Sequence, residues 1–279
     1  MISSSELPMP DETGSPQSAK FRSVLGETQL NIRSIDMEAP WRWLGSGWRD
    51  LRAAPHIGLF TGAMCFAGAA ILAALLSRTG WISLMLALGC GFALVGPLLA
   101  AGLYDTSRRL EQGQAATLRT ALLAGATARG QLGFFGFVLF LIFFAWINVA
   151  FLLFMLFYGD RPPQIGLFTH TLLFEPRGIS LLVTGTAIGA CLAAIVYMIS
   201  VVSVPLLLVE DIDSVTAGIT SVQAVLQNPG VMALWAVLIV GLMAVGLATL
   251  GLGLIITFPL VGHASWHAFR DIVRIGPEH

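Results

Sequence analysis

The stretch Val95–Gln114, VGPLLAAGLYDTSRRLEQGQ, decides how the rest of the chain reads. An apolar run carries Pro97, continues for two more turns, and breaks abruptly into Tyr104, Asp105 and the pair Arg108–Arg109. The same break recurs at Val204, in VPLLLVEDIDS, and at Phe258, in FPLVGHASWHAFRD. Three apolar helices thus carry a proline near one end and then spill into polar sequence. The pattern predicts three membrane hairpins whose return helices all finish on one side.

Composition points the same way. The 279 residues are 56% hydrophobic and 11% charged, with mean hydropathy +0.81. Soluble domains carry about 25% charged residues, so this is a membrane composition. A formal charge of −1 excludes a strongly basic chain, and no nucleic-acid partner is expected. Cys65, Cys90 and Cys191 sit in apolar runs without CxxC spacing, as packing residues do and a disulfide framework does not. Met1–Lys20 is rich in Ser, Pro and acid and lacks the apolar segment of a signal peptide, so residues 1–35 read as a disordered leader.

The remainder, 36–279, reads as a single all-α, polytopic membrane domain. About 20 apolar residues cross a bilayer. Spans are predicted at about 57–76, 81–103, 133–158, 179–204, 231–247 and 249–263. Amphipathic surface helices are expected in Pro40–Ala54, where tryptophans alternate with arginines, in 104–132, and in Pro205–Pro229. The run 231–261 is the ambiguous one. As one helix it is about 47 Å long, too much for a hydrocarbon core of about 30 Å, yet no polar turn divides it. Charge favours two spans. Six spans place Lys20, Arg22, Arg33, Arg42, Arg49, Arg52, Arg108, Arg109, Arg119, Arg129, Arg270 and Arg274 inside, against Arg78, Arg161 and Arg177 outside. Both termini are then cytoplasmic.

Two constellations carry candidate chemistry. His263 and His267 stand four apart, so a helix puts both imidazoles on one face, where they are able to hold a metal ion. Carboxylates at neighbouring helix ends, Asp105, Glu210, Asp211 and Asp213, are candidates to complete such a site. No HExxH or ExxH motif accompanies the pair, and the structural alternative is an interfacial hydrogen-bonding anchor. Tyr104, Asp105, Arg108, Arg109 and Glu111 form the second set. Asp105 precedes Arg109 by four residues, which suits an ion pair, and paired arginines at a membrane surface suit a lipid phosphate or another anionic ligand. The alternative is a charged helix end that fixes topology. No Asp, Glu, Lys or Arg lies within any predicted span, which argues against a proton- or sodium-driven pump.

The motifs GWRDLRAAP, LYDTSRRLEQGQ, NPGVMALW and FPLVGHASWHAFRD resemble a bacterial family described as predicted integral membrane proteins, of unknown function. The resemblance runs over roughly residues 40–275. It implies a multi-pass protein of the bacterial inner membrane, and it brings no catalytic residue and no cofactor. The function expected is a non-enzymatic membrane component that binds lipid or a partner membrane protein, or a second copy of itself, through its cytoplasmic face. A passive permease or channel for a small solute is the alternative. A metal- or haem-binding protein using His263 and His267 is the third.

Overall fold

The computed structural model describes residues 30–79, 85–127, 130–159 and 168–276. It is helical nearly throughout, as expected. In chain order the elements are β1 (Leu30–Ile32), α1 (Ala39–Ala53), α2 (Pro55–Thr79), α3 (Met85–Leu99), α4 (Ala101–Glu111), α5 (Leu118–Thr127) and α6 (Gly130–Tyr158). They continue with α7 (Phe168–Phe174), α8 (Pro176–Ser200), α9 (Ser203–Val209), α10 (Ser214–Gln227), α11 (Pro229–Ala248), α12 (Leu254–Ile272) and β2 (Val273–Ile275).

Among the described residues four stretches are long and apolar enough to cross a membrane: Pro55–Arg78, Gly130–Tyr158, Pro176–Val209 and Pro229–Ala248. The other two predicted spans look different. The span at 81–103 is broken: α3 ends at Leu99, the chain turns at Ala100, and α4 carries on as a separate helix. Residues 80–84, at its start, lie outside the described residues. The span at 249–263 begins late, at Leu254, and runs nine residues further than expected, to Ile272.

Burial divides the molecule. In α2 and α6 large apolar side chains face outward, among them Leu59, Phe60, Ile71, Leu75, Phe134, Phe137, Phe140 and Phe144, as side chains facing lipid tails do. At the other end the elements close into a hub. Its core includes Trp43, Leu103, Val202, Leu206, Met232, Trp235, Phe269 and Ile272, all essentially inaccessible. Trp43 and Trp235 meet edge-on, with ring centroids 5.6 Å apart. α12 is the axis of the hub, buried from Phe258 to Ile272 on every face but a narrow one, and α1, α2, α4 and α11 pack around it.

Proline and glycine place the helices. Pro205 has no N–H and its ring crowds the carbonyl of Val201, so α8 stops at Ser200 and α9 starts afresh. The break is repaired from α10: Ser221 Oγ accepts from the Val202 N–H (3.1 Å) and donates to the Met198 carbonyl (2.7 Å). Pro259 likewise cannot donate to the carbonyl of Ile255, and Gly62 of α2 lies against that carbonyl. A Cβ at Gly62 would stand 2.4 Å from the Ile255 oxygen. One at Gly47 would stand 2.7 Å from the Ala264 nitrogen. Only glycine allows α1 and α2 to approach α12 this closely.

Two expectations are revised by the packing. Pro40–Ala54 does form the amphipathic helix α1, but one face is built into the hub through Trp43, Gly47 and Leu51. The leader was expected to run to residue 35. Residues 1–29 lie outside the described residues, and from Leu30 onward the chain is tied down. β1 pairs antiparallel with β2 in the register Leu30–Ile275, Asn31–Arg274 and Ile32–Val273. Asn228 fastens the ribbon to α10: its Oδ1 accepts from the Ile35 N–H (2.8 Å) and its Nδ2 donates to the Arg33 carbonyl (2.9 Å).

Candidate functional site

The predicted residues converge on the hub, where α4 and α1 flank α12. The helical spacing of α12 lines up His263, Trp266, His267, Arg270 and Asp271, and each meets a polar group of α1 or α4. His263 is fully buried, and its Nδ1 lies 2.8 Å from Ser107 Oγ of α4. His267 Nε2 lies 2.8 Å from Asp50 Oδ2 of α1. Trp266 Nε1 donates to Glu111 Oε2 (3.1 Å), and the Arg270 guanidinium lies 3.4 Å from the same carboxylate. Trp43 Nε1 donates to Asp271 Oδ2 (3.0 Å). The row staples three helices together.

The two histidines therefore share a face but not a partner. Burial by itself raises the Asp50 carboxyl. Hydrogen bonds from His267 and Ser107, and the field of the two imidazoles, more than offset this and hold it below the ordinary carboxylate value. The Nε2 of His263 is enclosed without a hydrogen-bond partner, and it faces the packing of Gly58 and Pro259. Among the described residues no group of three or more His, Cys, Asp and Glu is arranged to hold a metal ion. Two of the carboxylates considered for such a site are occupied elsewhere. Asp105 binds arginine, and Asp213 Oδ1 caps α10, accepting from the N–H groups of Val215 (3.0 Å) and Thr216 (2.9 Å).

The second constellation lies on α4. Asp105 is nearly buried. It accepts from Arg108 Nε (3.1 Å) and Nη2 (2.5 Å), and from Arg109 Nε (2.7 Å). One carboxylate thus holds two guanidiniums, leaving one net positive charge and part of each donor set facing outward. Tyr104 does not join them. Its ring is buried in the hub core and its hydroxyl meets Ser265 of α12.

Two residues that complete this arrangement, Asp50 and Ser107, were not singled out from the sequence; Glu111 was, with the arginine pair, and it meets Trp266 and Arg270 of α12. Asp50 and Ser107 lie inside the two motifs GWRDLRAAP and LYDTSRRLEQGQ, yet nothing local says that they face α12. Beyond the cluster, α1 turns its other face outward with Trp41, Trp48, Arg49 and Arg52 exposed, the Arg52 guanidinium 5.9 Å above the Trp48 ring.

Residues 84–209 match the model of a family described as "Predicted integral membrane protein (DUF2189)". The matched segment takes in α3 to α9, and with them the Asp105–Arg108–Arg109 cluster. The histidine pair and the tryptophan-rich helix α1 lie outside it. No curated protein and no solved structure matches the chain. The protein is thus, in class, an integral membrane protein. The family resemblance read from LYDTSRRLEQGQ falls within the matched segment.

Proposed function

We propose that the protein is a non-enzymatic component of the bacterial inner membrane whose hub side, with both ends of the described chain, faces the cytoplasm and holds anionic lipid headgroups. Three hairpins, α2–α3, α6–α8 and α11–α12, return the chain to that side, which carries most of the arginines. The observation that carries the reading is the two-faced build of α1. Its inner face is locked into the hub by Trp43, Leu51 and the Asp50–His267 contact. Its outer face offers Trp41, Trp48, Arg49 and Arg52 together. Tryptophan favours the headgroup level and arginine binds phosphate through paired N–H groups, so a rigid helix displaying both is suited to an interface. Arg108 and Arg109 extend the same chemistry, since Asp105 takes only part of their donors.

Native mass spectrometry of protein purified in mild detergent tests this. Wild type is expected to retain anionic phospholipid in preference to zwitterionic lipid. Arg49→Ala/Arg52→Ala should lose most of that retention, and Arg108→Ala/Arg109→Ala a smaller part. Equal retention of both lipid classes by wild type, or no change in the first double variant, overturns the proposal.

A further inference from the structure

We infer that the α11–α12 hairpin is re-entrant: it enters the bilayer from the hub side, turns near the midplane at Thr249–Gly253, and returns without crossing. The inference deepens the three-hairpin arrangement proposed above and rests on it. Two full hairpins and one half-hairpin replace six full crossings.

Register is the first argument. α12 runs antiparallel to α2, with Gly58 against Pro259, Gly62 against Ile255, and Gly251 of the turn against Phe66. The apolar stretch of α2 runs from Ile57 to Leu76, between His56 and Ser77–Arg78. At about 1.5 Å per residue it is about 29 Å long, the thickness of a hydrocarbon core. Phe66 lies halfway along it. The turn therefore stops about 15 Å short of the far end of α2. The lower part of α11 is not available to lengthen the reach, because Val231, Met232 and Trp235 are buried in the hub.

The chemistry of the turn is the second argument. A turn that emerges into water is built from polar residues; this one is Thr-Leu-Gly-Leu-Gly. Leu250 is 90% exposed and Leu252 56%, so the tip presents leucine to its surroundings. Each backbone N–H from Gly251 to Thr257 has a partner. Gly251 donates to the Leu247 carbonyl (3.3 Å), Leu252 to Thr249 (3.2 Å), Leu254 to Gly251 (3.0 Å) and Ile255 to Leu252 (3.1 Å). Ile256 and Thr257 both donate to Gly253, at 3.0 and 2.9 Å. The remaining one, Gly253, donates to Thr249 Oγ1 (2.7 Å), and that hydroxyl donates to the Gly246 carbonyl (2.8 Å). In hydrocarbon an unpaired N–H costs several kcal/mol, and this turn leaves none over that stretch. Gly251 and Leu250 supply the left-handed backbone, φ +84° and +55°, that closes so tight a reversal.

The half-hairpin also meets the conflict in the sequence, where charge favoured a chain that comes back while the run, too long for one crossing, carried no polar turn to divide it. Single-cysteine variants on a Cys65→Ala/Cys90→Ala/Cys191→Ala background test it, with a membrane-impermeant maleimide applied to sealed vesicles of each orientation. Ser77→Cys should label from one side and Gln112→Cys from the other. Leu250→Cys and Leu252→Cys should label from neither, at below about a tenth of the Ser77→Cys level, because the tip is in hydrocarbon. A nitroxide at position 250 should show the oxygen accessibility of the bilayer centre, which also separates burial in lipid from burial in misfolded protein. Labelling of Leu250→Cys from the Ser77 side means a full crossing, and labelling from the Gln112 side means a hairpin outside the bilayer; either overturns the inference alone. Ser77→Cys and Gln112→Cys labelling from the same side would instead defeat the hairpin arrangement beneath it.

Discussion

The apolar ends of α2 and α6 and the hub around α12 are made of the same residue types and obey different rules. In the outer part of α6 the phenylalanines at 134, 137, 140 and 144 point away from the protein, and lipid is an equivalent neighbour for them. In the hub, apolar side chains are enclosed by other parts of the protein, and a lost atom leaves a void that lipid does not fill. The hub is also where hydrogen bonds between distant parts of the chain collect: Ser107 to His263, Asp50 to His267, Trp43 to Asp271 and Tyr197 to the Met232 carbonyl. Position in the molecule, more than residue type, sets what a substitution costs.

The sharpest break of that contrast is Trp235→Ala against Phe144→Ala. Trp235 is fully buried against Trp43, so its loss should cost about 3–5 kcal/mol in a reversible unfolding titration in mixed micelles. Phe144→Ala, lipid-facing, should change stability by less than about 0.5 kcal/mol. Equal costs would mean that the outer helices are held by protein contacts as the hub is.

A second comparison stays on one helix. Gly62→Ala forces a Cβ against the Ile255 carbonyl and should destabilise by about 1–3 kcal/mol, whereas Gly68→Ala meets open space and should be neutral or slightly stabilising. Next comes Asn228→Ala. Loss of its hydrogen bonds to Ile35 and Arg33 should cost about 1–3 kcal/mol, and amide exchange of residues 30–35 should rise well before that of α11.

The smallest effect is electrostatic. Asp50 has its carboxyl lowered in the folded protein, so the stability it contributes is complete above the unfolded carboxylate value of about 3.9 and is lost as pH falls through the folded one. In Asp50→Asn the acid limb of a stability–pH curve should be shallower, with a difference on the order of 1 kcal/mol between pH 5 and the acid end.

Much of the architecture was legible because a membrane span is written locally. The runs behind α2, α6, α8 and α11 begin and end within a few residues of the predicted spans, and the predicted surface helix in Pro205–Pro229 includes α10. What failed to show was anything set by partners far away in the chain. The break at Ala100 is invisible in an unbroken apolar run. β1 and β2 are three residues each and exist only because they meet. The spacing of His263 and His267 correctly put both on one face of a helix, but Ser107 and Asp50, which receive them, come from two other helices. The arginine pair shows the intermediate case: the i, i+4 bond from Asp105 to Arg109 was readable, and the second bond to Arg108 was not singled out.

The position of α12 in the chain has a consequence for the order of events in synthesis. Proteins emerge from the ribosome N-terminus first, and α12 follows every other described helix. Gly47, Gly58, Gly62, Leu103 and Trp43 are therefore in place before the helix they were shaped to receive. Until it arrives the nascent chain carries an open socket lined by glycine, leucine and tryptophan, and strand β1 has nothing to pair with. A chain that ended before Phe258 would lack the partner that these glycines and apolar side chains pack against.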